Sequence, residues 1–325
     1  MTVSIGYVAI GRNEGERLAA CLASLRKAGP GVVVYVDSGS TDDSLAIAKS
    51  FEAEIVALDM STPFTAARAR NAGISRLFEK SDPEFVQVID GDCELRDGWI
   101  AAAAAFLGDN ADVAVVCGRR RERRPEASVY NRLCDIEWDT PVGEALASGG
   151  DALMRARALK NAGLYDPRLI AGEEPELCIR LREKGWKIWR LDAEMTAHDA
   201  AMSKISQWWR RSVRAGHAFA EIAHLHRASP FGIWRGETRR ALIWAAMAPI
   251  AFFLALAVTP WAAFGLAIYP LQVARLYLAA RARLGGDAAS WALFTVLGKF
   301  PEAVGVLRYH SGRLMGRRAG LLEYK

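Results

Sequence analysis

The stretch FVQVIDGDCEL, residues 85–95, joins an apolar run to a pair of carboxylates. Its first five residues predict a buried strand, because they are mostly apolar and rich in β-branched side chains. Asp90 and Asp92 follow that strand, with Gly91 between them. Asp-Gly after a strand is a common turn signal, since glycine adopts positive φ and aspartate bonds its own backbone. The alternative to a surface turn is a ligand site.

The chain before this stretch alternates between apolar runs and amphipathic segments. Predicted strands are TVSIGYVAI (2–10), VVVYV (32–36) and EIVAL (54–58), and predicted helices are EGERLAACLASLRKAG (14–29), TDDSLAIAKSFE (41–52) and TAARARNAGISRLFEK (65–80). Alternation of helices with continuously apolar strands predicts an α/β fold, with a mostly parallel sheet covered on both faces. No GxGxxG opens the first helix, which argues against an ordinary dinucleotide fold.

Acidic side chains stand at the ends of two predicted strands. Asp37 ends VVVYV, and Asp90 and Asp92 end FVQVI. Parallel α/β sheets bind ligands at the carboxyl ends of their strands, so this position favours a site over an idle turn. Paired carboxylates need a cation, and oxygen ligands favour Mg²⁺ or Mn²⁺, which substrate phosphates commonly share. Arg70 and Asn71 are expected nearby, at a helix start or in a loop.

A second acidic pair occurs in AGEEPELCIRLREKGW, residues 171–186. Pro175 predicts the first turn of a helix, so Glu173 and Glu174 are expected just before its N-terminus. The helix dipole at that point favours an ionised carboxylate, as a general base requires. An ordinary charged cap is the alternative interpretation.

Charge divides the 325 residues into two parts. Residues 1–200 hold 25 Lys and Arg against 32 Asp and Glu, whereas residues 201–325 hold 17 against 5. Such a split suggests two parts that face different partners. The five cysteines form no CxxC or Cys/His ligand spacing, which predicts reduced thiols in the cytoplasm.

The basic part contains two uncharged apolar runs. We predict a membrane hairpin of about 241–258 and 261–280, flanked by arginines that place both outer ends in the cytoplasm. A buried hairpin in a soluble protein and a shallow re-entrant pair are the alternatives. The segment 288–307 is predicted to be interfacial. The predicted division is a catalytic domain at 1–234 and a membrane-associated region at 235–325.

The run RRRERRP, residues 119–125, holds five arginines. It is interpreted as a solvated loop or as a site for anionic lipid headgroups or an acceptor phosphate. Binding of nucleic acid has no other support in the first domain.

Six motifs in order resemble the family 2 glycosyltransferases, which have the glycosyltransferase-A fold. The resemblance spans about residues 3–190, and the C-terminal hairpin resembles that of membrane-attached bacterial members. The motifs are VAIGRNEGERLAACLASL, YVDSGSTDDS, ARARNAG, VIDGDCEL, GGDALMRARAL and GEEPELCIRLREKGW.

The resemblance implies inverting transfer from a nucleotide-diphosphate sugar to an acceptor, here expected to be lipid-linked or membrane-proximal, at the cytoplasmic face of the inner membrane. By position it implies that Asp37 binds the nucleoside and that Arg70 and Asn71 line the nucleotide pocket. Asp90 and Asp92 match the family's DxD motif, which holds Mg²⁺ or Mn²⁺ and the diphosphate, and Asp92 is the expected direct metal ligand.

The catalytic base falls on Glu173-Glu174, where the family usually has Glu-Asp, and Glu174 is favoured. His198 matches a third metal ligand of some members, although a structural histidine is the alternative. Arg211 and Arg214, or Arg210, are expected to meet the leaving diphosphate, whose developing charge needs a cation.

QWWRR, residues 207–211, lacks the Arg-Trp order of processive synthases, so processivity is not inferred. Two other functions stay open at this point: a nucleotidyltransferase, and a non-catalytic membrane scaffold with the same fold.

Overall fold

A computed structural model describes residues 3–316 of the chain. Its strands are β1 (Ile5–Gly11), β2 (Val33–Asp37), β3 (Glu54–Ala57), β4 (Phe85–Asp90), β5 (Cys93–Leu95), β6 (Val113–Glu122), β7 (Gly143–Ala145), β8 (Ala152–Arg155) and β9 (Lys187–His198). Its α-helices are α1 (Glu16–Ala28), α2 (Ser44–Ser50), α3 (Ala66–Lys80), α4 (Trp99–Asp109), α5 (Val129–Glu137), α6 (Ala156–Ala162), α7 (Glu173–Glu183), α8 (Ile205–Leu225), α9 (Arg235–Leu242), α10 (Ala248–Leu256), α11 (Ile268–Leu284), α12 (Ala288–Leu297) and α13 (Lys299–Leu314). A π-helical turn follows α9, and 3₁₀ turns precede α5, α11 and α12.

One mixed sheet contains all of these strands, in the order β3-β2-β1-β4-β8-β6-β9-β5, with β7 also paired to β9. The strands β3, β2, β1 and β4 run parallel, and so do β6 and β9. The predicted α/β fold with a mostly parallel sheet is therefore confirmed. The antiparallel strands β5, β7 and β8 are only three or four residues long.

The register of the central strands aligns the two acidic strand ends. On β1, Gly11 lies opposite Asp37 of β2, and Ile10 lies opposite Asp90 of β4. Both carboxylates therefore occupy the same edge of the sheet, with one strand between them. This is the edge at which parallel α/β sheets bind ligands.

Helix α3 packs unusually close to the sheet because of Gly73. A Cβ atom at that position would lie 2.4 Å from a methyl carbon of Val8 and 2.8 Å from one of Val36. Thr65 caps the helix, since its hydroxyl accepts a hydrogen bond from the Arg68 amide. Arg70 consequently lies within the helix, beyond its first turn, rather than at its start or in a loop.

The chain forms two compact units. One contains residues 3–124 and 135–200, and the other contains residues 125–134 and 201–316. In the second unit α8 and α13 approach so closely that a Cβ at Gly216 would lie 2.0 Å from the Glu302 carbonyl oxygen. The functional division at residue 234 stays a prediction.

The second unit exposes much apolar surface. Two helical stretches, Arg235–Leu256 and Pro260–Leu314, are long and apolar enough to cross a membrane. Side chains between and within them are exposed, with Val258 at 87% and Trp261 at 74%. Length and exposed apolar surface are thus compatible with membrane association.

Candidate active site

Arg70 lies at the centre of three carboxylates. One terminal nitrogen, Nη2, is 2.8 Å from Asp90 Oδ1, and the other, Nη1, is 2.8 Å from Glu173 Oε1 and 2.7 Å from Glu174 Oε1. The side chain is only 3% exposed. Burial disfavours its charge, but the carboxylates raise the pKa of Arg70 well above its usual value, so it stays a cation.

The two glutamates form the first turn of α7, which begins at Glu173 itself rather than after the pair. Glu174 is the more accessible of the two, with 12% of its side chain exposed against 4% for Glu173. Burial raises the pKa of Glu174 to about 7, and the charge of Glu173 adds to this rise while Arg70 opposes it. The effect of burial on the pKa of Glu174 therefore outweighs that of the helix N-terminus, and this carboxyl group can exchange a proton near neutral pH.

The carboxylate of Asp90 is held from both sides. Besides the bond from Arg70 to Oδ1, Arg120 Nη2 lies 3.4 Å from Oδ2. Burial acts to raise the pKa of Asp90, but the two guanidinium groups lower it below its usual value. Asp90 is thus a fixed anion that is already engaged by two cations.

Asp92 and His198 form a second part of the site. His198 Nε2 is 3.3 Å from Asp92 Oδ2, and both side chains are buried. The other ring nitrogen, Nδ1, is buried and lies 3.8 Å from Glu122 Oε2. An oxygen and a nitrogen donor side by side, with a carboxylate behind the imidazole, fit a divalent cation such as Mn²⁺.

Sequence reasoning missed Arg120 and Asp151. Arg120 lies over the Trp138 ring, 5.0 Å from its centroid, and its Nε is 3.6 Å from Asp151 Oδ2. The fully buried Asp151 accepts hydrogen bonds from the Asp90 amide and the Thr196 hydroxyl. The available signals were the arginine run for Arg120 and the motif GGDALMRARAL for Asp151, and neither gave the residue a role of its own.

The preceding residue, Gly150, brings the backbone against the centre of the site. A Cβ there would lie 2.8 Å from Arg70 Nη2, 2.9 Å from Asp90 Oδ2 and 3.4 Å from Glu174 Oε1. A Cβ at this position would force the ends of the Arg70 and Asp90 side chains to shift. The loop that carries Gly150 and the first turn of α7, which carries Glu174, therefore converge on the Arg70–Asp90 pair.

The arginine run 119–124 is part of β6 and its continuation, not a free basic loop. Three of its members pair with acids in the same unit: Arg119 with Asp135, Arg121 with Glu194 and Arg123 with Glu94. With Arg120 in the site, little of the run is available for an anionic headgroup or phosphate.

Asp37 and Asn71 have local partners. Asp37 Oδ2 accepts from the amides of Gly39 and Ser40, both at 3.0 Å, which fixes the carboxylate at the strand end. Both ends of the Asn71 amide bond the backbone of Tyr165. The structure therefore does not bring Asn71 into the acidic cluster. Asn71 instead anchors the loop before α7.

Arg210, Arg211 and Arg214 lie on α8, in the second unit. Their contact with a leaving diphosphate stays a prediction.

Residues 10–154 match the family model for glycosyl transferase family 2. The succinoglycan biosynthesis protein ExoA of Rhizobium meliloti is 28% identical over 276 residues, which cover 80% of this chain and 79% of ExoA. An uncharacterised glycosyltransferase of Mycobacterium tuberculosis is 29% identical over 217 residues, 62% of this chain and 90% of that protein.

Two solved structures show the same fold. A mannosyltransferase from Pyrobaculum calidifontis, in complex with GDP-Man and Mn²⁺, has a TM-score of 0.62 at 18% identity and covers 94% of this chain and 88% of its own. S. aureus TarS 1–349 in complex with UDP-GlcNAc has a TM-score of 0.51 at 14% identity, and the match covers 97% of this chain and 93% of the TarS chain. The predicted glycosyltransferase-A fold is confirmed.

Proposed function

Because residues 10–154 match the family model for glycosyl transferase family 2, we propose that the chain moves a sugar from a nucleotide-diphosphate sugar to an acceptor with inversion at the anomeric carbon. The observation that carries the proposal is the cluster of Asp90, Arg70 and Glu174 at the ligand-binding edge of the sheet. We expect the acceptor group to be a hydroxyl or a phosphate. The family match gives no support to a nucleotidyltransferase, and the intact acidic cluster argues against a non-catalytic scaffold.

Glu174 is the proposed general base. Its pKa of about 7 suits removal of a proton from an acceptor hydroxyl at neutral pH. Arg70 Nη1 holds Oε1 at 2.7 Å, and we assign the contact with the acceptor to the second carboxylate oxygen. Glu173 is more deeply buried on the same guanidinium nitrogen, and we assign it the role of positioning Arg70.

Asp92 and His198 are the proposed metal ligands. Asp90 has both oxygens against arginines, so we assign it to orienting Arg70 and the donor rather than to direct metal binding. A bound Mg²⁺ or Mn²⁺ would supply charge neutralisation for the diphosphate that leaves. The Mn²⁺ bound with GDP-Man in the mannosyltransferase structure supports the use of a divalent cation.

Donor recognition is assigned to Asp37 and to the arginines of α8. Asp37 lies at the same sheet edge as Asp90, with β1 between their strands, and there it can accept from a ribose or a base. Arg211 and Arg214 are the proposed contacts of the leaving diphosphate.

A lipid-linked acceptor is proposed from the second unit. Between α11 and the segment that follows it lies an apolar groove of about 700 Å³, whose lining includes Tyr269, Ala274, Tyr277 and Leu293. Pockets of this size and polarity bind largely apolar molecules. With the two candidate membrane stretches, the groove supports an acceptor that carries a hydrocarbon chain at the cytoplasmic face of the inner membrane.

The test is a panel of UDP-, GDP- and TDP-sugars, incubated with the purified full chain in detergent, Mn²⁺ and a bacterial lipid extract. We expect one donor to be consumed, with nucleoside diphosphate released and sugar recovered in the lipid fraction. Release of pyrophosphate, or consumption of no donor in the panel, would count against the proposal.

A further inference from the structure

The residue after the second aspartate brings a thiol to the proposed metal site. Cys93 on β5 lies directly opposite His198 on β9, so the two side chains project from the same face of the sheet. Cys93 Sγ is 3.6 Å from Asp92 Oδ1, and Asp92 Oδ2 is 3.3 Å from His198 Nε2. One ligand atom from each of the three residues lies within 4.8 Å of the others, and all three are buried.

The sulfur–oxygen and oxygen–nitrogen separations suit a single tetrahedral ion. Ligand atoms bonded at about 2.0–2.3 Å to one tetrahedral centre are separated from each other by roughly 3.3–3.8 Å. The donor set of sulfur, nitrogen and oxygen is one that Zn²⁺ accepts, whereas Mg²⁺ takes oxygen ligands. Thiolate also raises the affinity of a site for soft ions relative to hard ones.

We infer that Asp92, Cys93 and His198 form a site for a thiophilic divalent ion such as Zn²⁺ or Cd²⁺. When this ion is bound, it prevents binding of the Mg²⁺ or Mn²⁺ used in sugar transfer. The inference rests on the proposed function only because both ions would use Asp92 and His198. The consequence is a transferase that soft metal ions inhibit at its own metal site.

Arg120 borders the thiol without opposing this site. Its Nη2 is 3.2 Å from Cys93 Sγ, but Asp90 and Asp151 lie within 3.6 Å of the same guanidinium and balance its charge. On binding, a sulfur–metal bond forms, the S–H bond breaks and the proton passes to solvent.

The experiment adds CdCl₂ to the purified full chain in detergent and records the thiolate-to-cadmium absorption band, followed by calorimetric titration with ZnCl₂. Cys93→Ser is the test variant. Cys117→Ser is the matched control, because Cys117 is also buried in the sheet but donates to the Trp189 carbonyl oxygen. We expect the band in the wild type and the control, its loss in Cys93→Ser, and a Zn²⁺ affinity at least tenfold weaker in that variant, since even outer-shell changes cost about 10–100-fold.

Binding of Mn²⁺, measured on the same proteins by electron paramagnetic resonance, separates this inference from the proposed function. Mn²⁺ affinity is expected to survive in Cys93→Ser. If the wild type did not bind Mn²⁺, the result would count against the proposed transferase. If the wild type bound Mn²⁺ but showed no cadmium band, only the soft-metal site would be overturned.

If Cys93→Ser does not fold, the ¹¹³Cd chemical shift of the wild-type protein replaces it. A shift in the range for one sulfur with nitrogen and oxygen supports the inference, and a shift typical of oxygen ligands alone overturns it.

Discussion

Replacement of Glu174 by Gln removes the proposed base while keeping its shape. The glutamine side chain still offers an oxygen to Arg70, which holds Glu174 Oε1 at 2.7 Å, so donor binding should persist. General bases contribute about 10²–10⁴-fold to rate. We therefore expect kcat to fall by that factor, which corresponds to roughly 2.7–5.5 kcal/mol of transition-state stabilisation.

The pKa of Glu174 fixes the pH dependence of the wild type. With a value of about 7, the fraction of ionised base rises from about 9% at pH 6 to about 91% at pH 8. Because only the ionised form accepts a proton, kcat/KM should rise about tenfold over this interval. Glu174→Gln should lose this rise along with its activity.

The assay measures release of nucleoside diphosphate and recovery of labelled sugar across this pH range. Glu173→Gln is the matched control, since the charge of Glu173 raises the pKa of Glu174. That variant should stay active, and its acid limb should move to lower pH. A near wild-type rate in Glu174→Gln, or a flat wild-type profile, would refute the assignment of the base.

Three further outcomes are expected. Asp92→Asn should weaken Mn²⁺ binding at least tenfold, measured by electron paramagnetic resonance, and unchanged binding would remove this residue from the metal site. Gly150→Ala should lower the rate of transfer sharply, because its Cβ would lie 2.8 Å from a guanidinium nitrogen of Arg70. Gly149→Ala is the control and should keep the wild-type rate, since a Cβ there has nothing within 4 Å. Equal transfer rates in the two variants would contradict the geometry. Ala274→Trp should raise the KM for a long-chain lipid acceptor and leave the KM for a short-chain acceptor unchanged. Leu271→Trp, which lies outside the groove lining, should change neither KM. Identical KM values for the long-chain acceptor in the two variants would count against the groove.

The alternation of apolar and amphipathic segments was enough to predict the first half of the sheet. The runs that form β1, β2 and β4 are mostly apolar, and the acids that end β2 and β4 are aligned by parallel register. The antiparallel strands β8 and β5 were not predicted, because strands of three or four residues carry too little pattern to distinguish them from loops.

The candidate site was predictable where residues lie at strand ends or helix starts, and unpredictable where long-range pairing brings them together. Cys93 and His198 are opposite each other only because β5 pairs with β9, which follows it by about a hundred residues. Arg120 was interpreted with its basic neighbours, and nothing in a run of arginines distinguishes the one that turns toward Asp90. Register and side-chain direction decide such contacts, and both depend on the assembled sheet.

The stereochemistry of transfer tests the central claim most directly. The full chain would be supplied with an α-linked nucleotide-diphosphate sugar, Mn²⁺ and its lipid acceptor, and the anomeric configuration of the product would be read by proton NMR. A single displacement assisted by Glu174 predicts a β-linked product and release of nucleoside diphosphate. An α-linked product, or transfer of the nucleotide instead of the sugar, would contradict it.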